Sequence, residues 1–201
     1  MKSKTLVIAT RNQHKTVEIA AALAGKFQVK SLADYPDLPE IAETADSFLG
    51  NATLKAVEIS KLIPEHVLAD DSGLEVDALQ GAPGVYSARY AGFKANDAAN
   101  NKKVLDELEK IGALQPAQRR ARFVCVLVLA RAGKIEAHFT GTCSGTLLTK
   151  PQGKNGFGYD PLFVPDGHDK SFGELGPEIK AVLSHRAKAI HSFVQSLKAA
   201  S

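Results

Sequence analysis

Two adjacent carboxylates, Asp70 and Asp71, follow the apolar run at residues 67–69 and precede Ser72 and Gly73. Two ionisable groups at the end of a buried strand are costly unless they interact with something, so the pattern is typical of a cation site or of a proton-transfer group. Because successive strand residues face opposite ways, both carboxylates can reach one ligand only if the strand ends near Gly73. A solvated polar turn that closes the strand is the alternative, and these residues alone leave it open.

A second polar segment separates a strand-like run at residues 5–9 from a helical pattern at residues 17–24; it reads Thr10-Arg11-Asn12-Gln13-His14-Lys15. The unpaired N–H groups and partial positive charge of a helix N-terminus favour a phosphate there. Lys15 falls in the first turn, where a cation opposes the helix dipole, and this conflict indicates a bound anion. The segment is not a G-x-x-x-x-G-K-[ST] loop, which excludes a P-loop. An ordinary helix capped by Asn12 is the alternative.

Asn51 and Lys55 share one face of a predicted helix because they lie four residues apart. They could therefore reach one ligand, although a solvated helix face has the same pattern. Glu43 lies in the approach to this helix, where an acid interacts favourably with the dipole in either case.

Aromatic and basic residues mark the C-terminal half of the chain. Phe157 lies in a glycine-rich segment at residues 153–160. An exposed ring in such a segment can stack on a purine base, and a packed ring that closes the core is the alternative. Ser184 is a natural helix N-cap. His185 and Arg186 in the turn after it oppose the dipole, as Lys15 does.

The elements that must position these residues are a set of strands and helices. Two long strand-like segments, 121–130 and 135–143, are joined by a turn at 132–134 and predict the spine of an antiparallel or mixed sheet. Gly73 is expected to end the acidic strand, and another short strand is expected at residues 75–79. The other predicted elements are strands at 27–32 and 162–164 and helices at 48–63, 96–111 and 184–198.

Composition limits the class of protein. A length of 201 residues predicts one domain over residues 1–201, and 44% hydrophobic with 23% charged residues is ordinary for a globular protein. No apolar run of membrane-spanning length and no signal-peptide pattern occur, so we expect a cytoplasmic protein that does not bind membranes. A net charge of +3 with scattered basic residues argues against nucleic acid. Carboxylates without a thiol or histidine cluster favour a hard cation such as Mg²⁺.

Taken in order, these motifs resemble the inosine/xanthosine triphosphate pyrophosphatase (ITPase) family over nearly the whole chain. Each motif is weak alone, and the ordered combination is specific. One residue departs from the family pattern, because Gly50 stands where the family commonly has an acid before Asn51. The matching segments are T-x-N-x-x-K at 10–15, Asn51-Ala52 with Lys55-Ala56, ADDSGL at 69–74, GAPGVYSARY at 81–90, GFGYDP at 156–161, and Lys180 with Ser184-His185-Arg186.

The resemblance implies an elongated, two-lobed α/β fold with a long central mixed β-sheet flanked by helices and a substrate cleft between the lobes. It also implies a homodimer that uses Mg²⁺. The implied reaction is cleavage of a purine nucleoside triphosphate between the α- and β-phosphates, which gives the monophosphate and pyrophosphate. Hypoxanthine and xanthine are the implied bases, so ITP, dITP and XTP are the expected substrates.

The resemblance also implies roles for single residues. Asp71 is the expected catalytic proton acceptor and, with Glu43, a metal ligand, while Asp70 is a helper. Base recognition by Lys180 and Arg186 has a physical basis, since cationic donors suit a 6-oxo group and would be left unpaired beside the 6-amino group of adenine. The expected substrate-binding residues are Thr10, Arg11, Asn12, Gln13, His14, Lys15, Lys55, Ser72, Phe157, Gly158, Tyr159, Asp160, Lys180, His185 and Arg186.

Two alternative functions stay open at this point. The first is a pyrophosphatase for other modified nucleotides, including pyrimidines. The second is a nucleotide-binding protein that has lost hydrolysis, which the departure at Gly50 makes conceivable. A panel of nucleotides separates all three functions.

Overall fold

The computed structural model describes residues 4–199. The 3-10 helices in this part of the chain are Leu32–Asp34, Asp77–Leu79, Gly84–Arg89 and Pro116–Arg119. The longer elements, in chain order, are β1 (Thr5–Ile8), α1 (Gln13–Ala22), β2 (Gln28–Ser31), α2 (Phe48–Ser60), β3 (His66–Val76), α3 (Asp97–Lys110), β4 (Arg120–Arg131), β5 (Lys134–Leu147), β6 (Phe163–Pro165), α4 (Pro177–Leu183) and α5 (His185–Ala199).

The strands form one mixed sheet with the order β2-β1-β3-β4-β5-β6. Strand β1 is parallel to both β2 and β3, whereas β5 and β6 are antiparallel. The prediction of an α/β fold with a mixed sheet flanked by helices is therefore confirmed. The turn predicted between the two long strands is also present, because Ala132 and Gly133 join β4 to β5 with φ values of 50° and 75°. Two consecutive positive φ values are typical of a tight hairpin.

The register of β1 against β3 explains where the polar segments meet. Ile8, the last residue of β1, pairs with Leu68, and the N–H of Ala9 donates to the Leu68 carbonyl at 2.9 Å. Because the two strands are parallel, the chain leaves β1 beside the residues that follow Leu68 in β3. Helix α1 begins at Gln13, directly after its N-cap residue Asn12. The topology thus places the N-terminus of α1 next to the acidic part of β3.

Strand β3 differs from the prediction. It does not end at Gly73 but continues to Val76, and residues 77–79 form a 3-10 helix instead of a further strand. Side chains on both sides of β3 are buried along most of its length. Helix α4 was not predicted from the sequence, and it carries Lys180.

The chain divides into two compact units. Unit 1 contains residues 4–71, 125–141 and 186–199 of the described chain, and unit 2 contains residues 72–124 and 142–185. The core of unit 1 packs α1 and α5 against β1, β3 and β4; its buried residues are Leu6, Ile8, Ile19, Leu23, Leu68, Cys125, Leu127, Leu129, Ala189, Ile190 and Phe193. The core of unit 2 contains Leu74, Val76, Val104, Leu108, Ala113, Ala121, Phe123, Cys143, Leu147, Tyr159, Leu162, Phe163 and Phe172. A single domain over residues 1–201 stays a prediction.

Within residues 4–199, none of the helices has the length and apolar character that crossing a membrane requires.

Candidate functional site

Asp70 and Asp71 lie in the interior of β3, where consecutive side chains point to opposite faces of the sheet. Both are buried, with side-chain exposures of 0% and 9%. Each carboxylate has its own basic partners, Lys15 and Arg186 for Asp70 and Lys55 for Asp71. Because β3 continues past Gly73, the expectation that a strand end lets both carboxylates reach one ligand is wrong.

Asp70 is the centre of a buried ionic network in unit 1. Lys15 Nζ lies 2.5 Å from Oδ1, and Arg186 Nε donates to Oδ2 at 2.8 Å. The Cys125 thiol lies 3.2 Å from the same Oδ2. Arg186 also contacts Glu18 through Nη1 at 2.5 Å. Burial alone would raise the pKa of Asp70, but the charges and hydrogen bonds of Arg186 and Lys15 outweigh it and hold the pKa well below its usual range.

This network explains the cations that oppose the helix dipoles. Lys15 lies in the first turn of α1 and Arg186 in the first turn of α5, and both reach the carboxylate of Asp70. The two cations that oppose the helix dipoles therefore have an anionic partner inside the protein. Arg186 belongs to unit 1 and is 2% exposed, so the structure places it with the acidic strand. Its role in base recognition stays a prediction.

Asp71 lies in a second cluster, organised around the ammonium of Lys55. Lys55 Nζ donates to Glu43 Oε1 at 2.7 Å, to the Asp70 carbonyl at 2.8 Å and to Asp71 Oδ1 at 3.3 Å. These contacts match the three donors of an ammonium group. Burial would lower the pKa of Lys55, but the negative charges of Asp71 and Glu43 outweigh it and raise the pKa, so Lys55 stays charged. The structure thus brings together three of the predicted site residues, Glu43, Lys55 and Asp71, and their roles stay predictions.

The second carboxylate oxygen of Asp71 does not take part in the contacts of this cluster. Oδ2 is buried and has no hydrogen-bond partner among the atoms of residues 4–199. Desolvation raises the pKa of Asp71, and the charge of Glu43 adds to this, against the opposing effect of Lys55. A buried carboxylate oxygen with an unused lone pair can accept a proton or bind a cation.

Gly50 has a structural explanation. A Cβ at this position would lie 2.5 Å from the Cβ of Ala45 and 3.1 Å from the Ser47 hydroxyl. A carboxylate side chain at position 50 would therefore require the segment before α2 to move. Asn51, which is fully buried, holds that segment by accepting the Ala45 N–H at 2.9 Å. Asn51 thereby fixes the approach from Glu43 to α2.

The segment before α1 forms a capped helix N-terminus, as one of the two interpretations required. Asn12 Oδ1 accepts the Lys15 N–H at 3.2 Å, and Thr10 Oγ1 accepts the Asn12 N–H at 3.1 Å. Arg11 donates to the Leu38 carbonyl at 2.8 Å. The residues of this segment at positions 11–14, among them Gln13 and His14, are exposed, so an anion can approach the helix end. Phosphate binding by the segment stays a prediction.

In unit 2 the structure brings together three of the predicted base-binding residues. Asp160 Oδ2 accepts the Phe157 N–H at 2.8 Å and the Lys180 ammonium at 2.7 Å. The same ammonium lies 4.4 Å from the centroid of the Phe157 ring, within range of a cation–π contact. Asp160 and Lys180 are 2% and 8% exposed, so the ion pair is buried. Phe157 is half-buried and lines a cavity of about 440 Å³.

The remaining predicted residues occupy different surroundings. Tyr159 is buried in the core of unit 2, and its hydroxyl donates to the Ser87 carbonyl at 2.8 Å. His185 is 5% exposed and its ring stacks on Phe123 with centroids 4.7 Å apart. Ser72 is half-buried in β3. Their substrate contacts stay predictions.

Gly156 provides a test of this loop geometry. Its φ is +74°, and an added Cβ would lie 1.9 Å from Asp160 Oδ2; Gly158 has a similar φ of +62° but nothing within 4 Å. We expect Gly158→Ala to lower the free energy of unfolding by about 1–2 kcal/mol because of backbone strain alone. Gly156→Ala should lose at least about 1 kcal/mol more, because it also displaces the Asp160 carboxylate from its donors. Urea unfolding measures both, and equal losses would contradict the described contact.

Residues 6–196 match the family model described as the Ham1 family. A dITP/XTP pyrophosphatase from an Exiguobacterium species is 50% identical, and the match covers 94% of each chain. The structure of the Staphylococcus aureus Ham1 protein aligns with a TM-score of 0.86 and 39% identity, covering 98% of this chain and 100% of that one. A nucleoside-triphosphatase / dITP/XTP pyrophosphatase structure from Mycobacterium abscessus aligns with a TM-score of 0.76 and 39% identity, covering 94% and 98%. The resemblance drawn from the sequence motifs is confirmed, and the chain belongs to the Ham1 family.

Proposed function

We propose that this chain hydrolyses deaminated purine nucleoside triphosphates, namely ITP, dITP and XTP, to the monophosphate and pyrophosphate. The observation that carries the proposal is Asp71, a buried carboxylate whose pKa is raised and whose Oδ2 has no partner among the described residues. Relatives at 45–50% identity support the substrate class, because they are named dITP/XTP pyrophosphatases.

Asp71 acts as the general base. A water oxygen attacks the α-phosphorus of the α–β phosphoanhydride, and its proton passes to Asp71 Oδ2. The bond from that phosphorus to the bridging oxygen breaks, and pyrophosphate leaves with the electron pair. A raised pKa makes the carboxylate a stronger base near neutral pH than an ordinary aspartate. Lys55 holds Oδ1 and so orients Oδ2 for this task.

The N-terminus of α1 binds phosphates through the segment from Thr10 to Lys15. Its support is the exposed helix end together with two nearby cations, Lys15 and Lys55, each of which touches a carboxylate of β3. Helix N-termini suit phosphates because of their unpaired N–H groups and dipole. Main-chain or side-chain donors for the phosphates come from Arg11, Asn12, Gln13 and His14.

Mg²⁺ fits the donor set that Asp71 and Glu43 provide. Both carboxylates accept a hydrogen bond from the Lys55 ammonium, so they lie close together. Asp71 Oδ2 has an unused lone pair. No group of three or more His, Cys, Asp or Glu suited to a metal ion occurs among residues 4–199. Magnesium in phosphate chemistry is commonly held by one or two carboxylates plus substrate oxygens, so two are enough. When bound, the ion would neutralise charge on phosphate oxygens.

The base binds in unit 2. Phe157 stacks on the purine ring, with Gly158, Tyr159, Asp160 and Ser72 beside it, and Lys180 and His185 recognise the base. The support is the buried Lys180 ammonium, which lies 4.4 Å from the Phe157 ring centroid and is held by Asp160. A cationic donor at this place suits the 6-oxo group of hypoxanthine or xanthine. An adenine amino group offers no acceptor to a further N–H of this ammonium, and an unsatisfied donor costs about 1–3 kcal/mol in a desolvated pocket.

We further propose that the enzyme works as a homodimer in the cytoplasm, on free nucleotides and not on nucleic acid. The mild net charge of +3 supports the last point.

A nucleotide panel tests the proposal. With Mg²⁺ we expect fast pyrophosphate release from ITP, dITP and XTP, and release from ATP at least about tenfold slower, because the 6-amino group offers no acceptor to the buried ammonium of Lys180. A chelator should stop the reaction. Preference for dUTP would favour the pyrimidine alternative, and tight ITP binding without pyrophosphate release would favour a binding protein.

A further inference from the structure

The loop that carries Phe157 is held from one side by the first turns of α3. The Gly158 N–H donates to Asp97 Oδ2 at 2.6 Å. Asn101 Nδ2 donates to the Gly158 carbonyl and to the Asp97 carbonyl, both at 2.7 Å. Both main-chain polar groups of Gly158 are therefore fixed by two side chains that are one helical turn apart.

These bonds act on a loop that contains two glycines beside Phe157. Phe157 is flanked by two glycines with positive φ, Gly156 at 74° and Gly158 at 62°. Glycine has more conformational freedom than any other residue. Hydrogen bonds from other side chains therefore restrict the position of the Phe157 ring. The N–H of Phe157 donates to Asp160. The next residue, Gly158, is bound by Asp97 and Asn101.

Asp97 is not required for capping α3. Asn96 is the N-cap, and its Oδ1 accepts the Ala99 N–H at 2.9 Å. The carboxylate of Asp97 is instead directed to Gly158, although the residue as a whole is exposed. The cavity of about 440 Å³ that Phe157 lines is also lined by Asp97, Asn101 and Gly158. The contact thus connects the helix to the loop at the cavity wall.

We propose that Asp97 and Asn101 are positioning residues that set the affinity for the base by fixing the Phe157 ring through Gly158. This inference rests on the proposed function, in which Phe157 stacks on the purine. Neither residue touches the reacting phosphates in this account, so their loss affects binding of the base and leaves the chemical step unchanged.

The test compares Asp97→Ala with Asp97→Asn. Both remove the charge, but the amide oxygen of Asn can still accept the Gly158 N–H. For Asp97→Ala we expect the KM for ITP to rise about five- to thirty-fold with kcat within about twofold, since one charge-assisted hydrogen bond is lost. Asp97→Asn should stay within about threefold of the wild-type KM. The matched control is Asp106→Ala, which removes an acid from the same helix that pairs only with Lys102 in the described contacts.

Competitive inhibition separates base binding from phosphate binding. IMP should bind Asp97→Ala more weakly by the same factor as the KM change, whereas pyrophosphate should bind equally well to both forms. Asn101→Ala should show the same pattern, with its melting temperature measured because Asn101 is 5% exposed.

Three results would overturn the inference: an unchanged KM in Asp97→Ala, an equal loss for IMP and pyrophosphate, or an Asp97→Asn variant as impaired as Asp97→Ala. Failure of wild-type protein to release pyrophosphate from ITP would overturn the proposed function instead. IMP binding measured by calorimetry then still decides the positioning role, and wild-type protein that does not bind IMP would overturn both.

Discussion

Asp71→Asn is expected to lower kcat for pyrophosphate release from ITP by about 10²–10⁴-fold, because the general base is removed. The same variant should melt at or above the wild-type temperature. Desolvation and the charge of Glu43 raise the pKa of Asp71, so its ionised form is less favourable in the folded protein than in the unfolded chain. A neutral isostere therefore removes a buried charge that the fold accommodates at a cost. Steady-state kinetics and calorimetric melting measure the two quantities.

The pH dependence gives a second readout of the same residue. Wild-type kcat/KM should fall as the pH is lowered through the pKa of Asp71, which lies above the ordinary aspartate value of about 3.9. The residual activity of Asp71→Asn should lack this acid limb. An active Asp71→Asn variant with an unchanged pH profile would show that another group takes the proton.

Asp70→Asn is expected to have the opposite effect on stability, although it is the same chemical change one residue earlier. We expect it to lower the free energy of unfolding by about 3–5 kcal/mol, because it leaves the guanidinium of Arg186 buried beside a neutral group. The side chains of Asp70 and Arg186 are 0% and 2% exposed, so water cannot replace the lost charge. Urea unfolding at neutral pH measures the loss.

Acid titration tests the cause of that loss. Because the folded-state pKa of Asp70 is depressed, its contribution to stability is present above the unfolded-state pKa of about 3.9 and is lost as the pH falls through the lower folded-state pKa. Asp70→Asn should therefore lose less stability than wild-type protein over this acid range. Asp71 contributes with the opposite sign, since its folded-state pKa is raised. Equal stability of Asp70→Asn and Asp71→Asn would contradict the separation of the two carboxylates.

Local rules were enough for many elements of the fold. A helix cap at Asn12 is one of the two interpretations that the sequence allows, and the Asn12 side chain accepts a main-chain N–H in the first turn of α1. The hairpin at residues 132–133 follows from turn chemistry between two apolar runs. The ordered motifs identified the family, which in turn implied the mixed sheet.

Gly73 shows why the acidic strand was misjudged. The sequence rule treats glycine as a strand breaker, but a Cβ at this position would lie 2.3 Å from Ser87 Oγ and 2.6 Å from the Gly84 carbonyl. The glycine is present for a close approach within unit 2, and the strand continues through it. Which use a glycine serves depends on a neighbour more than ten residues away in the chain.

The partners of Asp70 could not be identified from the sequence for a similar reason. The cations at the starts of α1 and α5 oppose the helix dipoles, and for Lys15 this indicates a bound anion; a bound anion stays a prediction. The anion they share is a side chain of β3, and Arg186 lies 116 residues from it in the chain. Only the packing of α1, α5 and β3 within unit 1 brings the three charges together.

The most direct test of the proposed reaction is to determine the products of ITP hydrolysis by phosphorus NMR, with Mg²⁺, for wild-type protein and Asp71→Asn. We predict IMP and pyrophosphate in equal amounts from wild-type protein and almost no turnover by the variant. Release of IDP and inorganic phosphate, or undiminished turnover by Asp71→Asn, would contradict hydrolysis between the α- and β-phosphates with Asp71 as the base.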